Sequence, residues 1–281
     1  MTTGSTETLE SDRVRFLSSF EWHKDRKPFG GYSAIKLAPN GKDFVVLSDR
    51  GHVIEGSIFR HEGKIIGLRS KDIAPLQFPH SLFGKTPKAD TEGIARDTAG
   101  RLYISFEHEN RIARLDTNGV WSLLPDHPEI RDLPRNRGLE ALAIAPDGAV
   151  LAIPEVSDGL TTPFTVYRFR DGAGWDTALR LARHPGFLPV GADFDAYGRL
   201  YVLERGFAGF GFFSQVRRFD LRDAGLMQGE ILLTTAPRTH DNLEGLSIWM
   251  TEDKALRMTL VSDDNFQRFQ KTEIVEYAIS N

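Results

Sequence analysis

Five segments of the chain repeat one pattern, and this repeat constrains the fold more than any other feature. They begin at Gly31, Asp90, Gly138, Val190 and Asn242. Each has a short apolar strand, a turn rich in Asp, Asn, Pro and Gly, and a second strand dense in branched and aromatic residues, which is the pattern of a β-hairpin. Self-similarity with a period of about 40 to 60 residues is typical of propeller blades or solenoid units.

Further strands follow each hairpin. The turns Ala38–Gly41, Ala145–Gly148 and Asp195–Gly198 combine a Pro or Asx start with a Gly that tolerates positive φ, so they predict tight reversals. Third strands are predicted at His52–Phe59, Arg111–Asp116, Phe164–Phe169, Gln215–Asp220 and Thr272–Tyr277. In the first three units another turn leads to a fourth strand. The sequence therefore predicts an all-β fold, a β-propeller with about five four-stranded blades.

The two ends of the chain are predicted to complete one blade. The last unit ends near Ile279 without an outer strand, while the alternating segment Val14–Glu21 belongs to no unit. Pairing them would cover an exposed sheet edge. We therefore expect one domain over residues 13–281 after a flexible lead, residues 1–12. A sixth blade, in Ile73–Lys88 or Phe207–Phe213, and a β-sandwich or barrel are the alternatives.

Composition excludes several classes of function. The net charge is −4 with Lys and Arg scattered, so no nucleic-acid partner is expected. The chain has no cysteine, hence no disulfide, thiolate metal site or cysteine nucleophile. No apolar stretch approaches the roughly 18 residues of a membrane span. No G-x-S-x-G elbow or P-loop occurs, and the polar start lacks the features of a signal peptide.

Carboxylates recur at equivalent places in the hairpins. Glu92 and Glu107 are 15 residues apart, as are Glu140 and Glu155, so antiparallel pairing puts both acids of each hairpin at the same end. Because the first strand of a blade lines the axis, acids from separate blades should converge at one mouth of the channel. The inner set is Glu92, Glu140 and Glu244. The outer set is Asp49, Glu107, Glu155, Glu204, Asp263 and Asp264.

Crowded carboxylates repel, so they must bind a cation, pair with arginine or take up protons. Many hard oxygen ligands favour Ca²⁺, and we predict that Glu92, Glu140, Glu244, Asp49, Asp263 and Asp264 bind it. The alternative is a structural network in which Arg50, Arg137 and Arg205 neutralise the acids. His80, His108 and His240 lie near strand ends or in loops without a recognised metal-ligand spacing. The run Phe207–Phe213 is either a hydrophobic lip over the mouth or a loop packed on its neighbour.

A family resemblance rests on five strings. They are Asp90–Ile94, Gly138–Leu142, Gly198–Arg205, Asn242–Leu246 and Val261–Phe266. In these strings the chain resembles the bacterial family of phytase-like proteins named for the esterase-like activity of phytase. The resemblance implies a propeller, hydrolysis of phosphate or other esters, and export, so a periplasmic or secreted location is expected. It leaves a cytoplasmic location open.

The leading hypothesis is a calcium-dependent esterase or phosphoesterase acting on a small anionic or ester substrate. Glu107, Glu155 or Glu204 would take the proton of the attacking water, and Arg50, Arg137 and Arg205 would bind the substrate. One alternative is a non-catalytic module whose calcium stabilises the propeller while its loops bind a ligand or protein. Another is a lactone hydrolase of the gluconolactonase kind, with Asn242 and Asn265 as further ligands. The oligomeric state stays open.

Overall fold

Five sheets of mainly antiparallel strands form the fold. The computed structural model describes residues 8–79, 82 and 90–280. Blade 1 holds β3 (Tyr32–Leu37), β4 (Asp43–Ser48), β5 (His52–His61), β6 (Lys64–Ser70) and, beside β5, β7 (Ala74–Pro75). Blade 2 holds β8 (Thr91–Arg96), β9 (Leu102–Phe106), β10 (Arg111–Leu115) and β11 (Trp121–Leu123). A four-residue helix, α1 (Pro128–Arg131), leads to blade 3.

The other blades include strands that return from elsewhere in the chain. Blade 3 holds β12 (Leu139–Ile144), β13 (Val150–Pro154), β14 (Phe164–Arg170), β15 (Gly174–Leu181) and the parallel β19 (Gly225–Met227). Blade 4 holds β16 (Leu188–Phe194), β17 (Arg199–Phe207), β18 (Phe212–Asp220), β20 (Glu230–Thr234) and β1 (Leu9–Glu10). Blade 5 holds β21 (Asn242–Met250), β22 (Leu256–Asp263), β23 (Glu273–Ile279) and β2 (Val14–Glu21).

The first strands of the blades form a closed ring. In the order β3, β8, β12, β16 and β21, each packs on the next, and β21 returns to β3. Five buried apolar clusters fill the spaces between neighbouring blades. The prediction of a five-bladed all-β propeller is confirmed. The Phe207–Phe213 run is the far end of the β17–β18 hairpin rather than a sixth blade, and residues 80, 81 and 83–89, which include His80, lie outside the described part.

Local sequence explains the hairpins. Gly41 and Gly148 adopt φ of 63° and 84°, and their N–H groups donate to the carbonyls of Ala38 and Ala145 at 2.9 and 2.8 Å. A side chain at such a φ would be strained, which is why glycine ends these turns. The turns fix the register of the strands around them.

The N-terminal strand closes the ring, as predicted. β2 pairs antiparallel with β23 from Val14 opposite Ile279 to Glu21 opposite Glu273, and it supplies the outer strand of blade 5. Within the predicted flexible lead, Leu9 and Glu10 form a strand that pairs with Thr234 and Leu233. Within the described residues, no helix has the length and apolar character needed to cross a membrane.

The axis is narrow part-way along its length. The space between the five inner strands is about 10 Å³, roughly the room that one water needs. Deeper along the same strands, Lys36 Nζ of β3 lies 2.6 Å from Asp193 Oδ2 of β16, although blade 5 separates their blades. The same oxygen accepts the Ile248 N–H of β21 at 2.7 Å. This ion pair ties blades 1, 4 and 5 together across the axis.

Candidate active site

A register shift occurs at the same place in every inner strand. The shifts fall between Tyr32 and Ala34, Thr91 and Ile94, Leu139 and Ala141, Pro189 and Gly191, and Leu243 and Gly245. A β-bulge adds a residue and re-aims a side chain. The residues at the shifts, Ser33, Glu92, Glu140, Val190 and Glu244, line the axial cavity. The structure thus brings the predicted inner set together, with blades 2, 3 and 5 each contributing a glutamate.

A second ring of side chains surrounds the first. The residue that follows the bulge partner on each second strand is Asp49, Glu107, Glu155, Arg205 and Asp263 in blades 1 to 5. Blade 4 therefore contributes a guanidinium where the other blades have carboxylates, and Val190 where three blades have glutamate. We call Glu92, Glu140, Glu244, Asp49, Asp90, Glu107, Glu155 and Asp263 the axial acid cluster.

Glu92 is buried, Glu140 and Glu244 are partly buried, and the three carboxylates repel one another. Burial raises the pKa of Glu92 well above its usual range, and Glu140 and Glu244 raise it further. The pKa of Glu140 is raised in the same way by burial and by Glu155 and Glu244. Glu92 is 8% exposed, so water screens little of this repulsion. At neutral pH these groups need a cation or protons.

Arg205 is the guanidinium inside the cluster. It donates to Glu244 Oε1 from one terminal nitrogen and to Glu155 Oε1 at 2.9 Å from the other. Asn242 Oδ1 accepts from it at 3.2 Å, and Asn242 donates to Glu244 at 2.8 Å. Burial alone would lower the pKa of Arg205, but Glu244, Glu155 and Glu140 raise it, so the charge is held. Arg205 sits between the acids of the two neighbouring blades.

Three acids of the second ring, Asp49, Glu107 and Asp263, have raised pKa values as well. Burial raises the pKa of Asp49 to about 6, that of Glu107 to about 7 and that of Asp263 to about 8. One neighbouring group partly lowers each pKa again: Arg50 for Asp49, the Gly138 N–H at 2.9 Å for Glu107, and the Asn265 N–H at 2.6 Å for Asp263. One guanidinium inside the cluster does not compensate eight carboxylates.

Glu204 and Asp264 lie outside the cluster. Each is one residue away from the second ring, and a one-residue step along a strand turns a side chain to the other face. Glu204 is fully buried in a two-bond ion pair with Arg217, with Nε to Oε2 at 2.6 Å. Asp264 accepts the Gly31 and Phe266 N–H groups at 2.9 and 3.0 Å and shapes the loop after β22.

The two other predicted arginines are exposed at the rim. Arg50 stacks on the ring of Phe266, with Cζ 3.4 Å from the ring centroid, and lies next to Asp49. Arg137 precedes Gly138, whose N–H binds Glu107. His240 lies in a separate network, where its Nε2 is 2.7 Å from the Tyr277 hydroxyl.

Asp90, His108 and Asn110 also belong to the mouth. Asp90 Oδ2 is 2.6 Å from His108 Nδ1, at an angle unsuitable for a hydrogen bond. In the described part of the chain, Asp90, Glu107 and His108 are the one group of three acidic or histidine side chains with ligand atoms within 4.8 Å of one another. Asp90 lies two residues before Glu92, as Asn242 lies two residues before Glu244. This repeated position is the sequence feature that could have predicted Asp90 at the mouth.

Unpartnered oxygens make the mouth suitable for a cation. Asp49 Oδ1 and Asn110 Oδ1 are buried without a hydrogen-bond partner, and Asn110 is 7% exposed. Buried acceptors without a donor are costly unless something positive binds them. The atoms available as metal ligands here are carboxylate and amide oxygens, which Ca²⁺ prefers. The residues present fit a hard divalent cation.

Comparison with known proteins decides the family. A family model described as phytase-like, "Esterase-like activity of phytase", matches residues 27–266. The chain belongs to this phytase-like family. The match covers all five bulged inner strands and the whole axial acid cluster.

Solved structures share the fold at low identity. A proposed gluconolactonase is 15% identical with a TM-score of 0.51, over 91% of this chain and 77% of that one. The PQQ-bound aldose sugar dehydrogenase from Streptomyces coelicolor is 12% identical with a TM-score of 0.50, over 99% of this chain and 100% of that one. No functionally curated protein matches the phytase-like chain in sequence. These similarities show the propeller fold alone and say nothing about the reaction.

Proposed function

We propose that this phytase-like propeller is a calcium-dependent hydrolase of ester or phosphoester bonds at the mouth of its central channel. One observation carries the proposal, the convergence of eight carboxylates from four blades around one guanidinium. So many crowded carboxylates destabilise the folded state unless a cation offsets their charge. Such an arrangement therefore indicates a ligand-binding site rather than a structural role. Membership of a family named for esterase-like activity supports hydrolysis.

The axial acid cluster would hold the cation. Glu92, Glu140 and Glu244 would do so from the inner strands, with Asp49 and Asp263 from the second ring. When bound, Ca²⁺ polarises an ester or phosphoryl oxygen and lowers the pKa of a water. The inner glutamates are spaced more widely than the Asp90, Glu107 and His108 group. The second ring would then supply part of the ligand set.

The remaining groups would bind substrate and move protons. Arg205 keeps its charge and anchors Glu155 and Glu244, so its guanidinium also orients the acids beside the reacting group. Arg50 is exposed at the rim and can bind an anionic substituent. Glu107, with its pKa near 7, is suited to act as a general base at neutral pH. Glu204 is not proposed as a base, because its carboxylate is buried in the ion pair with Arg217.

Lactone hydrolysis is the second candidate. Asn242 contacts both Glu244 and Arg205 inside the site, and a cation bound by few acids plus an asparagine would suit a neutral cyclic ester. One of the propellers of similar fold is described as a proposed gluconolactonase. The two candidates differ in whether the substrate carries a negative charge.

Calorimetry and a substrate panel test the proposal. Metal-stripped protein is titrated with CaCl₂, and phosphate esters, carboxylate esters and lactones are assayed with calcium and with EDTA. We expect calcium binding and calcium-dependent turnover of at least one class, both lost in Glu92→Gln. Glu55→Gln, at an exposed position of β5, is the matched control and should behave like the wild type. No heat at millimolar calcium, or turnover that persists in EDTA, would remove the metal-dependent mechanism.

A further inference from the structure

A cavity of about 550 Å³ opens between blades 4 and 5, at the ends of the strands that carry Arg205 and Asp263. We call it the aromatic groove. Its walls are the end of the β17–β18 hairpin, the segment before β21 and the loop after β22. The side chains that matter here are Phe207, Phe210, Phe212, Arg238 and Phe269. The volume lies in the range of sites for small organic ligands.

Three phenylalanines of the groove face solvent. Phe207 is 61% exposed, Phe210 70% and Phe269 83%. They come from two loops distant in sequence that meet at one surface, so they do not serve the core of either blade. Clustered exposed aromatic rings mark binding surfaces more often than scattered ones do. The sequence alternative of a loop packed on its neighbour therefore does not describe these side chains.

Phe212 links the groove to Arg205 inside the acid cluster. The groove walls extend from the ends of the strands that carry Arg205, Asp263 and Asn242, so topology places the groove at the same mouth. The guanidinium carbon of Arg205 is 5.8 Å from the centroid of the Phe212 ring, and Phe212 is 5.1 Å from Phe207. A molecule with its reacting group beside Arg205 can lay its organic part on these rings.

The hairpin wall is held in place. The Arg238 N–H donates to the Phe212 carbonyl at 2.9 Å, and the Ala208 N–H donates to the Gly211 carbonyl at 3.0 Å. A Cβ at Gly211 would lie 2.3 Å from Arg238 Cγ, so the stem of Arg238 packs directly on the glycine. The wall is shaped before any ligand arrives, which lowers the entropy cost of binding.

The charges around the groove favour an aromatic ligand. Asp241 already accepts Gln270 Nε2 and the Lys271 N–H, and Lys271 Nζ binds Glu21 at 2.9 Å. Within the described residues, the Arg238 side chain has no ion-pair partner. A guanidinium beside aromatic rings attracts another π face, which an alkyl chain lacks.

We propose that the aromatic groove binds the aryl group of an organic ester whose reacting bond lies at the axial acid cluster. This inference rests on the proposed hydrolase function for the position of the reacting bond. It narrows the substrate class to aryl esters or aryl phosphates, in preference to small polyol phosphates.

Selectivity tests the groove. The kcat/KM values for 2-naphthyl phosphate and glycerol 1-phosphate, and for 2-naphthyl acetate and methyl acetate, are measured in the wild type and in a Phe210→Ala/Phe269→Ala variant. The aryl-to-alkyl ratio should fall about tenfold, given two lost aromatic contacts. Phe59→Ala, at an exposed phenylalanine of β5, is the control and should keep the ratio. An unchanged ratio in the double variant overturns the proposal.

Binding separates this inference from the proposed function. Calorimetry with 2-naphthylphosphonate, which is not hydrolysed, should show about tenfold weaker binding to the double variant than to the wild type and to Phe59→Ala. If no ester is turned over but this difference is found, the hydrolase proposal fails and the groove stands as a binding site. Equal binding to all three proteins, or none to the wild type, overturns the groove. Circular dichroism confirms that the exposed substitutions leave the fold intact.

Discussion

Raising the pH in the absence of divalent cations should destabilise this protein. Burial raises the pKa of Asp49, Glu107 and Asp263 to about 6, 7 and 8, so the folded chain keeps protons that the unfolded chain has released. The unfolded state binds fewer protons in this window, and the free energy of unfolding falls as pH rises from about 5 to 8. Glu92, Glu140 and Glu244 act with the same sign.

The size of the effect follows from the shifts. Each pKa unit corresponds to about 1.4 kcal/mol. Between pH 5.5 and 8, Asp49 and Glu107 together account for about two units, or about 3 kcal/mol if both were fully shielded. Both groups are partly solvated, so we reduce this by about half, to about 1 to 2 kcal/mol. That corresponds to a fall in Tm of about 3 °C. His52, with a pKa lowered by burial, opposes the trend as a single group.

Thermal unfolding at pH 5.5 and pH 8 measures this difference, once in EDTA and once in millimolar CaCl₂. In EDTA the protein should be less stable at pH 8, and calcium should remove most of the difference by binding the ionised acids. Asp263→Asn should flatten the pH dependence in EDTA. A metal-free protein whose stability is constant or rises between pH 5.5 and 8 would refute the assignment of crowded, uncompensated acids.

Three further perturbations test the architecture. Arg205→Gln should reduce the free energy of unfolding by about 3 kcal/mol in EDTA, seen as a lower Tm, because it leaves the acids uncompensated. The same variant should bind calcium more tightly in calorimetry, because the competing positive charge is gone. Gly245→Ala should cost about 2 kcal/mol in urea unfolding, since its Cβ would lie 2.6 Å from Val261 Cγ1, whereas Gly67→Ala, with open space, should not. Deleting residues 1–21 should yield aggregated protein by size-exclusion chromatography, because it removes β2 and exposes the edge of β23.

The sequence was informative where the repeat was strict. Equal spacing in the second and third units placed Glu92, Glu140, Glu107 and Glu155 correctly at one mouth, and the unclaimed Val14–Glu21 indicated the closing strand. The β-bulge of the inner strands could not be predicted from the sequence, because a register shift depends on how the partner strand pairs. Without it, the acids at the predicted strand ends, Glu204 in blade 4 and both Asp263 and Asp264 in blade 5, are all expected to face the mouth.

That expectation explains the two residues that lie elsewhere. In blade 4 the acid at the predicted strand end is Glu204, but β17 continues to Phe207 and the ring position is occupied by the neighbour Arg205. The counter-charge of Glu204 is Arg217 on β18, and their separation in sequence gave no signal of a contact. Asn110 was not predicted, because the turn with φ of 63° at His108 brings it to Gly138 beside Glu107.

The Lys36 and Asp193 ion pair gives the two ends of the axis different surroundings. It joins blades 1, 4 and 5 beyond the narrow space that Glu92, Glu140 and Glu244 line. Under the proposed hydrolase function, we therefore expect substrate and product to use the same mouth. Product should then compete with substrate, which inhibition kinetics with added product would measure.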